Sequence, residues 1–131
     1  MAFLVDADWV IDALARRRGA LATIAALAPH GISISRVTVG EIYEGAFGFP
    51  DPQLELARLR GFLGPFEVID LSDDIIERFA STRAYLRRTG QMIPDFDIVL
   101  ASTALHYDLT VLTHDVGHFQ RIPGLKIYRD S

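Results

Sequence analysis

The sequence has no cysteine, which rules out a disulfide framework and any thiolate metal site. A chain without thiols suits a reducing compartment, and a cytoplasmic location is expected. Lysine is almost as scarce: Lys126 is the only one, and it comes late in the chain. The opening stretch MAFLVDADW carries no basic segment, and Asp6 interrupts its apolar run, so it does not read as a secretory signal. The longest uncharged apolar runs, LATIAALA and IVLASTAL, are far too short to span a bilayer, so no membrane association is expected. There is no glycine-rich phosphate loop, no internal repeat, no low-complexity tract and no linker. His30, His106, His114 and His118 lack zinc-site spacing; His114 and His118 stand close together but fall in a predicted turn.

What is present is a chain of 131 residues, half of them hydrophobic, enough for one domain with a real core over residues 1–131. A net charge of −4 argues against general coating of nucleic acid. The basic residues are nevertheless grouped: Arg16, Arg17 and Arg18; Arg58 and Arg60; Arg83, Arg87 and Arg88. Arginine grips phosphate with a bidentate fork, so local patches can hold a phosphodiester on an acidic protein. A solvated helix face is the simpler reading of any single cluster.

AFLVD at 2–6 reads as a short buried strand, followed by a helix over about 9–17 that Asp8 caps and arginines close. Gly19 breaks that helix, and a second short one over 20–28 stops at Pro29, His30 and Gly31. ISIS at 32–35 is a strand. A helix from Thr38 to about Phe47 places Val39, Ile42, Tyr43, Ala46 and Phe47 on one stripe, with Glu41 off it on the first turn. Another amphipathic helix covers 53–63, and FEVIDL at 66–71 is a strand. Ser72 caps a helix over 73–89 with Ile75, Ile76, Phe79, Ala80 and Leu86 inward. Asp95 caps a helix over 96–107 that is apolar almost all round and therefore buried. LTVLT at 109–113 is a strand, 115–119 a turn or short helix, and LKIYR at 125–129 a last strand. Short apolar strands alternating with helices imply an α/β fold, a mostly parallel sheet with helices on both faces.

Such sheets bind ligands at the carboxyl ends of their strands. Asp6 ends the first strand, Asp115 follows the fourth, and Glu41 and Asp97 start helices packed at that same edge. Each acid alone has an ordinary explanation as a cap, a first-turn carboxylate or a turn residue. Together they are harder to dismiss, because Asp6 closes a strongly hydrophobic segment where an unpaired carboxylate is costly. Carboxylates forced together repel, and their proton affinities rise unless a cation joins them. No basic residue stands at these spots, so the set points to a hard divalent ion, Mg²⁺ or Mn²⁺. Such an ion lowers the pKa of water and polarises phosphoryl oxygens. With no cysteine and no evident nucleophile–base pair, metal-assisted hydrolysis of a phosphodiester is the economical chemistry.

LVDADWVID, TVGEIYEGA, IPDFDIVLASTAL and LTVLTHDVGHFQRIPGLKI resemble, in order and spacing, the four signature blocks of PIN-domain ribonucleases. They are most similar to the VapC-type toxins of bacterial and archaeal toxin–antitoxin pairs, and the resemblance covers nearly the whole chain. It implies a three-layer PIN sandwich around a parallel sheet of strand order 3-2-1-4-5. It also implies RNA cleavage in an acidic Mg²⁺ or Mn²⁺ pocket, leaving a 5′-phosphate and a 3′-hydroxyl. Asp6, Glu41 and Asp97 match the first three family acids, and Asp115 the fourth position, which is asparagine in some members. Asp97 rather than Asp95 is matched because DIVLASTA is the run that aligns. By resemblance, Asp6, Asp97 and Asp115 hold the metal, Glu41 is a ligand or a water-orienting base, and Thr38 orients Glu41 or water. One departure concerns the first block, where the family usually has Asn, Ser or Thr and this chain has Asp8 followed by Trp9; it bears on metal stoichiometry. The implied partners are an RNA substrate, a second copy in a homodimer, and a small antitoxin whose tail crosses the acidic groove with an arginine. The helical pair at 38–63, with Tyr43, Phe47, Phe49, Leu54, Leu59 and Phe62, is the expected clamp or dimer face, ordinary core being the alternative.

Three other readings compete. DADWV also looks like the opening of haloacid-dehalogenase-type phosphatases, with a nucleophilic first aspartate. That family expects a lysine before its final acidic block, and Lys126 follows every acidic block here. A phosphate-receiver domain also needs a late lysine, but the order of its acids fits poorly. A non-catalytic RNA-binding or scaffold module would lack some of the acids, and here each block carries one.

Overall fold

The structure, a computed structural model, describes residues 2–129. The strands are β1 (Phe3–Val5), β2 (Ile32–Ser35), β3 (Glu67–Ile69), β4 (Thr110–Leu112) and β5 (Lys126–Ile127). The helices are α1 (Ala7–Leu14), α2 (Ala20–Leu27), α3 (Arg36–Glu44), α4 (Pro52–Leu63), α5 (Asp73–Arg88), α6 (Asp95–Tyr107) and α7 (Val116–Phe119), with 3₁₀ turns over Ala28–His30 and Gly45–Gly48.

Successive side chains of a strand leave opposite faces, and the central strands use both. Leu4 of β1 and Val111 of β4 enter a core shared with Ile75, Leu86, Ile98 and Phe119. Their neighbours Val5 and Leu112 enter a second core with Val10, Ile24, Ile34 and Ile42. One face of the sheet is thus covered by α5, α6 and α7, the other by α1, α2, α3 and α4. Every strand pairing is parallel, and the order is β3-β2-β1-β4-β5. This is the order implied by the resemblance. It places β1 between β2 and β4, so the segments leaving all three begin at one edge.

Several helix ends differ from the sequence reading, each for a local reason. Asp6, not Asp8, caps the first helix: its Oδ1 accepts from the Ala7 amide at 2.8 Å, and α1 starts earlier than expected. That helix stops at Leu14 rather than near Arg17; Arg16 takes a left-handed conformation (φ 56°) instead of continuing it, as does Arg18 just beyond (φ 55°). Ser35 caps α3 by accepting from the Val37 amide, so Glu41 sits on the second turn rather than the first. Asp95 does not cap α6; Pro94 holds that position, and Asp95 lies in the first turn paired with Arg83 at 2.9 Å. Ser72 caps α5 as expected, accepting from the Ile75 amide. Ile75 and Leu86 are buried in that helix, whereas Ile76 and Ala80 face outward. Phe47 at 64% exposure and Phe49 at 53% also stand open, so the 38–63 stripe is only partly core. Among the described residues, no helix is long and apolar enough to cross a membrane.

Candidate metal centre

β1 and β4 run side by side with Val5 opposite Leu112, so Asp6 and Thr113 leave the sheet together. Thr113 Oγ1 donates to Asp6 Oδ2 at 2.8 Å, and the Asp115 amide donates to Thr113 Oγ1 at 3.0 Å. Asp8, in the first turn of α1, accepts at Oδ2 from the His114 amide at 2.8 Å. The loop between β4 and α7 is therefore stitched to the start of α1. Asp97, in the first turn of α6, approaches from the other side, and its Oδ2 bonds His118 Nδ1 at 2.8 Å.

Two groups of ligand-capable side chains result. Asp6, Asp8 and Asp115 bring carboxylate oxygens within 4.8 Å of one another, carboxylate oxygens of Asp97 and Asp115 and a ring nitrogen of His118 do the same, and Asp115 belongs to both groups. Glu41 is in neither group, although its carboxylate feels the charges of Asp97 and Asp8. The set expected to hold a metal, Asp6, Asp97 and Asp115, is thus divided: Asp6 stands with Asp8, Asp97 stands with His118, and Asp115 is shared. Thr38 is buried one turn before Glu41.

The electrostatics match a mouth of crowded acids. Burial, then the neighbouring Asp8 charge, push the Asp6 carboxyl up to about 7, against the hydrogen bonds from Thr113 and Ala7. Burial is also the main cause that raises Asp8, Glu41 and Asp97; the Asp97 charge adds to Glu41, while His118 holds Asp97 down. Among the described residues, Asp8 Oδ1 is buried with no hydrogen-bond partner. A buried acceptor without a donor carries a desolvation penalty that a bound cation removes. The orphaned oxygen, the raised proton affinities and the oxygen-rich donor set together fit a divalent cation held by Asp6, Asp8 and Asp115.

Sequence reading singled out Asp6, Glu41, Asp97 and Asp115, and all four face one mouth. It left Asp8 undecided between cap and ligand, set His114 and His118 aside as zinc ligands without giving them another role, and passed over Asp12 and Thr113. A helical signal existed for two of these. Asp12 follows Asp8 by four residues, and His118 follows Asp115 by three, spacings that share a helix face. Lys126 is taken out of the pocket, since its Nζ pairs with Asp108 at 2.8 Å where β4 and β5 begin, the opposite edge of the sheet. The phosphatase and receiver readings lose the lysine that each requires.

The PIN domain family profile matches residues 3–125. Over 94 residues the chain is 33% identical to the tRNA(fMet)-specific endonuclease VapC of Salmonella typhimurium, covering 72% of this chain and 71% of that one. Over 127 residues it is 31% identical to ribonuclease VapC1 of Methanocaldococcus jannaschii, covering 95% and 85%. Among solved structures, DNA-bound VapBC from Salmonella typhimurium superposes with a TM-score of 0.88 at 26% identity, covering 98% of this chain and 97% of that one. VapBC2 from Rickettsia felis, bound to a promoter DNA fragment, shares the fold with a TM-score of 0.89 at 23% identity and full coverage of both chains. The sheet order, the acidic mouth at its carboxyl edge and these matches agree: the chain belongs to the PIN-domain family and, within it, to the VapC ribonucleases of toxin–antitoxin systems.

Proposed function

We propose that this chain hydrolyses RNA phosphodiesters in a pocket where Asp6, Asp8 and Asp115 hold Mg²⁺ or Mn²⁺, with Asp97 and Glu41 completing the catalytic set. The observation that carries this reading is the buried, unpartnered Asp8 Oδ1 inside a ring of carboxylates contributed by separate blocks of the chain. When bound, such an ion supplies Lewis acidity toward phosphoryl oxygens and makes water more acidic.

The protein's own groups divide the remaining work. Thr113 fixes the Asp6 carboxylate by donating its hydroxyl to Oδ2, and fixes the backbone of Asp115 by accepting from its amide. Asp97 is fixed by His118. Among the described residues the Glu41 carboxylate has no hydrogen bond to anchor it; it stands half-exposed and has a raised proton affinity from burial and from Asp97. A carboxylate whose pKa is lifted toward the working pH is a better proton acceptor, so Glu41 takes the proton from the attacking water. The products carry a 5′-phosphate and a 3′-hydroxyl. Arg17 and Arg18, 60% and 67% exposed at the side chain, lie beside the pocket through Asp12 and steer the RNA backbone.

The same reading makes the chain a cytoplasmic toxin that forms a homodimer and is held by a small antitoxin. A cavity of about 590 Å³ opens beside Glu41, walled by Ile11, Leu14, Ile42, Phe49, Leu59 and Phe62. An amphipathic helix seated there would carry its adjoining tail to the acidic mouth, where an arginine neutralises the carboxylates.

The test is cleavage of structured RNA, initiator transfer RNA included, by wild type and by Asp6→Asn with Mg²⁺, with Mn²⁺ and with chelator. Cutting that needs metal and disappears in the variant is the expected result. Equal cutting by folded Asp6→Asn would place the activity elsewhere. No cutting by folded wild type across a range of RNAs would favour a binding role.

A further inference from the structure

We infer that Asp12, His114 and Trp9 form a clamp of positioning residues that holds the 113–115 segment over α1 and so keeps Asp115 within reach of Asp6 and Asp8. Asp12 is a charged residue at only 6% exposure, one turn along α1 from Asp8. Its Oδ2 bonds His114 Nε2 at 2.8 Å. The His114 ring lies stacked on Trp9, centroids 5.0 Å apart and planes 18° from parallel, and Trp9 is itself wedged edge-on against Tyr128. Both the ring and the backbone of His114 are thereby tied to the same helix, since its amide donates to Asp8.

The distinctive property of this tie is which groups it leaves free. Among the described residues, the other side-chain hydrogen bonds from 113–114 to Asp6 and α1 end on Asp6 or Asp8, the carboxylates that a cation would claim. The bond to Asp12 ends on a carboxylate outside both ligand groups. It can therefore persist whichever way Asp6 and Asp8 turn, and it fixes the residue immediately before Asp115. Arg17 and Arg18 complete the arrangement, with Nε and Nη1 at 3.3 and 3.7 Å from Asp12. They reach it from a turn in which Arg16 and Arg18 adopt left-handed backbone, a conformation that is strained for a non-glycine residue. The chain accepts that strain where it folds arginines back over a buried acid. A ligand shell is only as well placed as the groups behind it, and loss of such supports typically weakens metal binding by roughly 10- to 100-fold.

The clamp has this purpose only if Asp6, Asp8 and Asp115 hold a cation, as proposed above, so its test reads cation binding rather than turnover. Mn²⁺ is titrated calorimetrically into wild type, His114→Ala, Asp12→Ala and Asp12→Asn, with folding checked by circular dichroism. His114→Ala and Asp12→Ala are expected to bind Mn²⁺ roughly 10- to 100-fold more weakly. Asp12→Asn, which keeps an oxygen acceptor for Nε2 but not the charge that Arg17 and Arg18 neutralise, is expected to recover most of that loss. Should Asp12→Ala not fold, His114→Ala and Asp12→Asn carry the test. Unchanged Mn²⁺ affinity in folded His114→Ala would overturn the clamp, as would a full loss in Asp12→Asn beside intact binding in His114→Ala. No Mn²⁺ binding by wild type would instead remove the metal-site reading, and the clamp with it.

Discussion

The hydroxyl of Thr113 donates to Asp6 Oδ2 at 2.8 Å across a separation of 107 residues, and accepts from the Asp115 amide at 3.0 Å. One oxygen thus sets two pocket acids at once. Thr113→Val keeps the shape and removes both bonds. A hydrogen bond to a charged group contributes about 1.5–3 kcal/mol, so a loss of that order is expected in denaturant unfolding. The Thr113 bond also lowers the proton affinity of Asp6, so Mn²⁺ binding by the variant should need a higher pH. An unaltered pH dependence would mean that Thr113 only packs.

Asp6 also makes stability depend on pH in an unusual direction. Its carboxyl is pushed from 3.8 up to about 7, chiefly by burial and then by Asp8. The folded state therefore holds this proton more tightly than the unfolded chain. The resulting stabilisation is fully present below the unfolded value and is lost as pH rises through about 7. The shift corresponds to about 4 kcal/mol. In chelator, wild type should lose stability relative to Asp6→Asn across that window, and Asp6→Asn should be the more stable at neutral pH. Added Mg²⁺ should restore wild type and not the variant. Parallel stability curves for the two proteins in chelator would contradict the assignment.

His118 holds Asp97 at 2.8 Å and opposes the upward push that burial gives its carboxyl. Removing the ring in His118→Ala should raise the proton affinity of Asp97 further. The acidic limb of the cleavage profile should then move to higher pH, with activity partly recovered by raising the pH of the assay. A uniform loss at every pH would show that the imidazole itself is the ligand or acid, rather than the support of Asp97.

The apolar cavity beside Glu41 offers a way to separate inhibition from catalysis. Ile11 and Leu14 line it at 45% and 39% exposure, so a charge at Leu14 need not disturb the core. Leu14→Arg should leave RNA cleavage within about twofold and the melting temperature near wild type, since surface changes usually fall within about 0.5 kcal/mol. It should also relieve inhibition by a co-expressed small partner. Full inhibition of this variant would place the partner on another face.

Much of this molecule is legible locally. Alternating apolar strands, the Ser72 cap and the all-apolar IVLASTAL helix carry their structure in a few neighbouring residues, because periodicity and capping act within a turn or a pleat. The four blocks and their order identify the family, and the acids at strand and helix ends mark the mouth. The tertiary structure decides the rest. Asp8 reads in the sequence as a cap or a ligand; β4 lying beside β1 brings the His114 amide to its Oδ2 and leaves Oδ1 without a hydrogen-bond partner among the described residues. Arg17 reads as the end of a helix, whereas left-handed backbone at Arg16 and Arg18 carries Arg17 and Arg18 back to Asp12. Which acid stands with which, and which histidine supports it, depends on contacts spanning most of the chain. Spacing within a segment fixes only what lies on one face of one element. The strand order β3-β2-β1-β4-β5 brings those faces together.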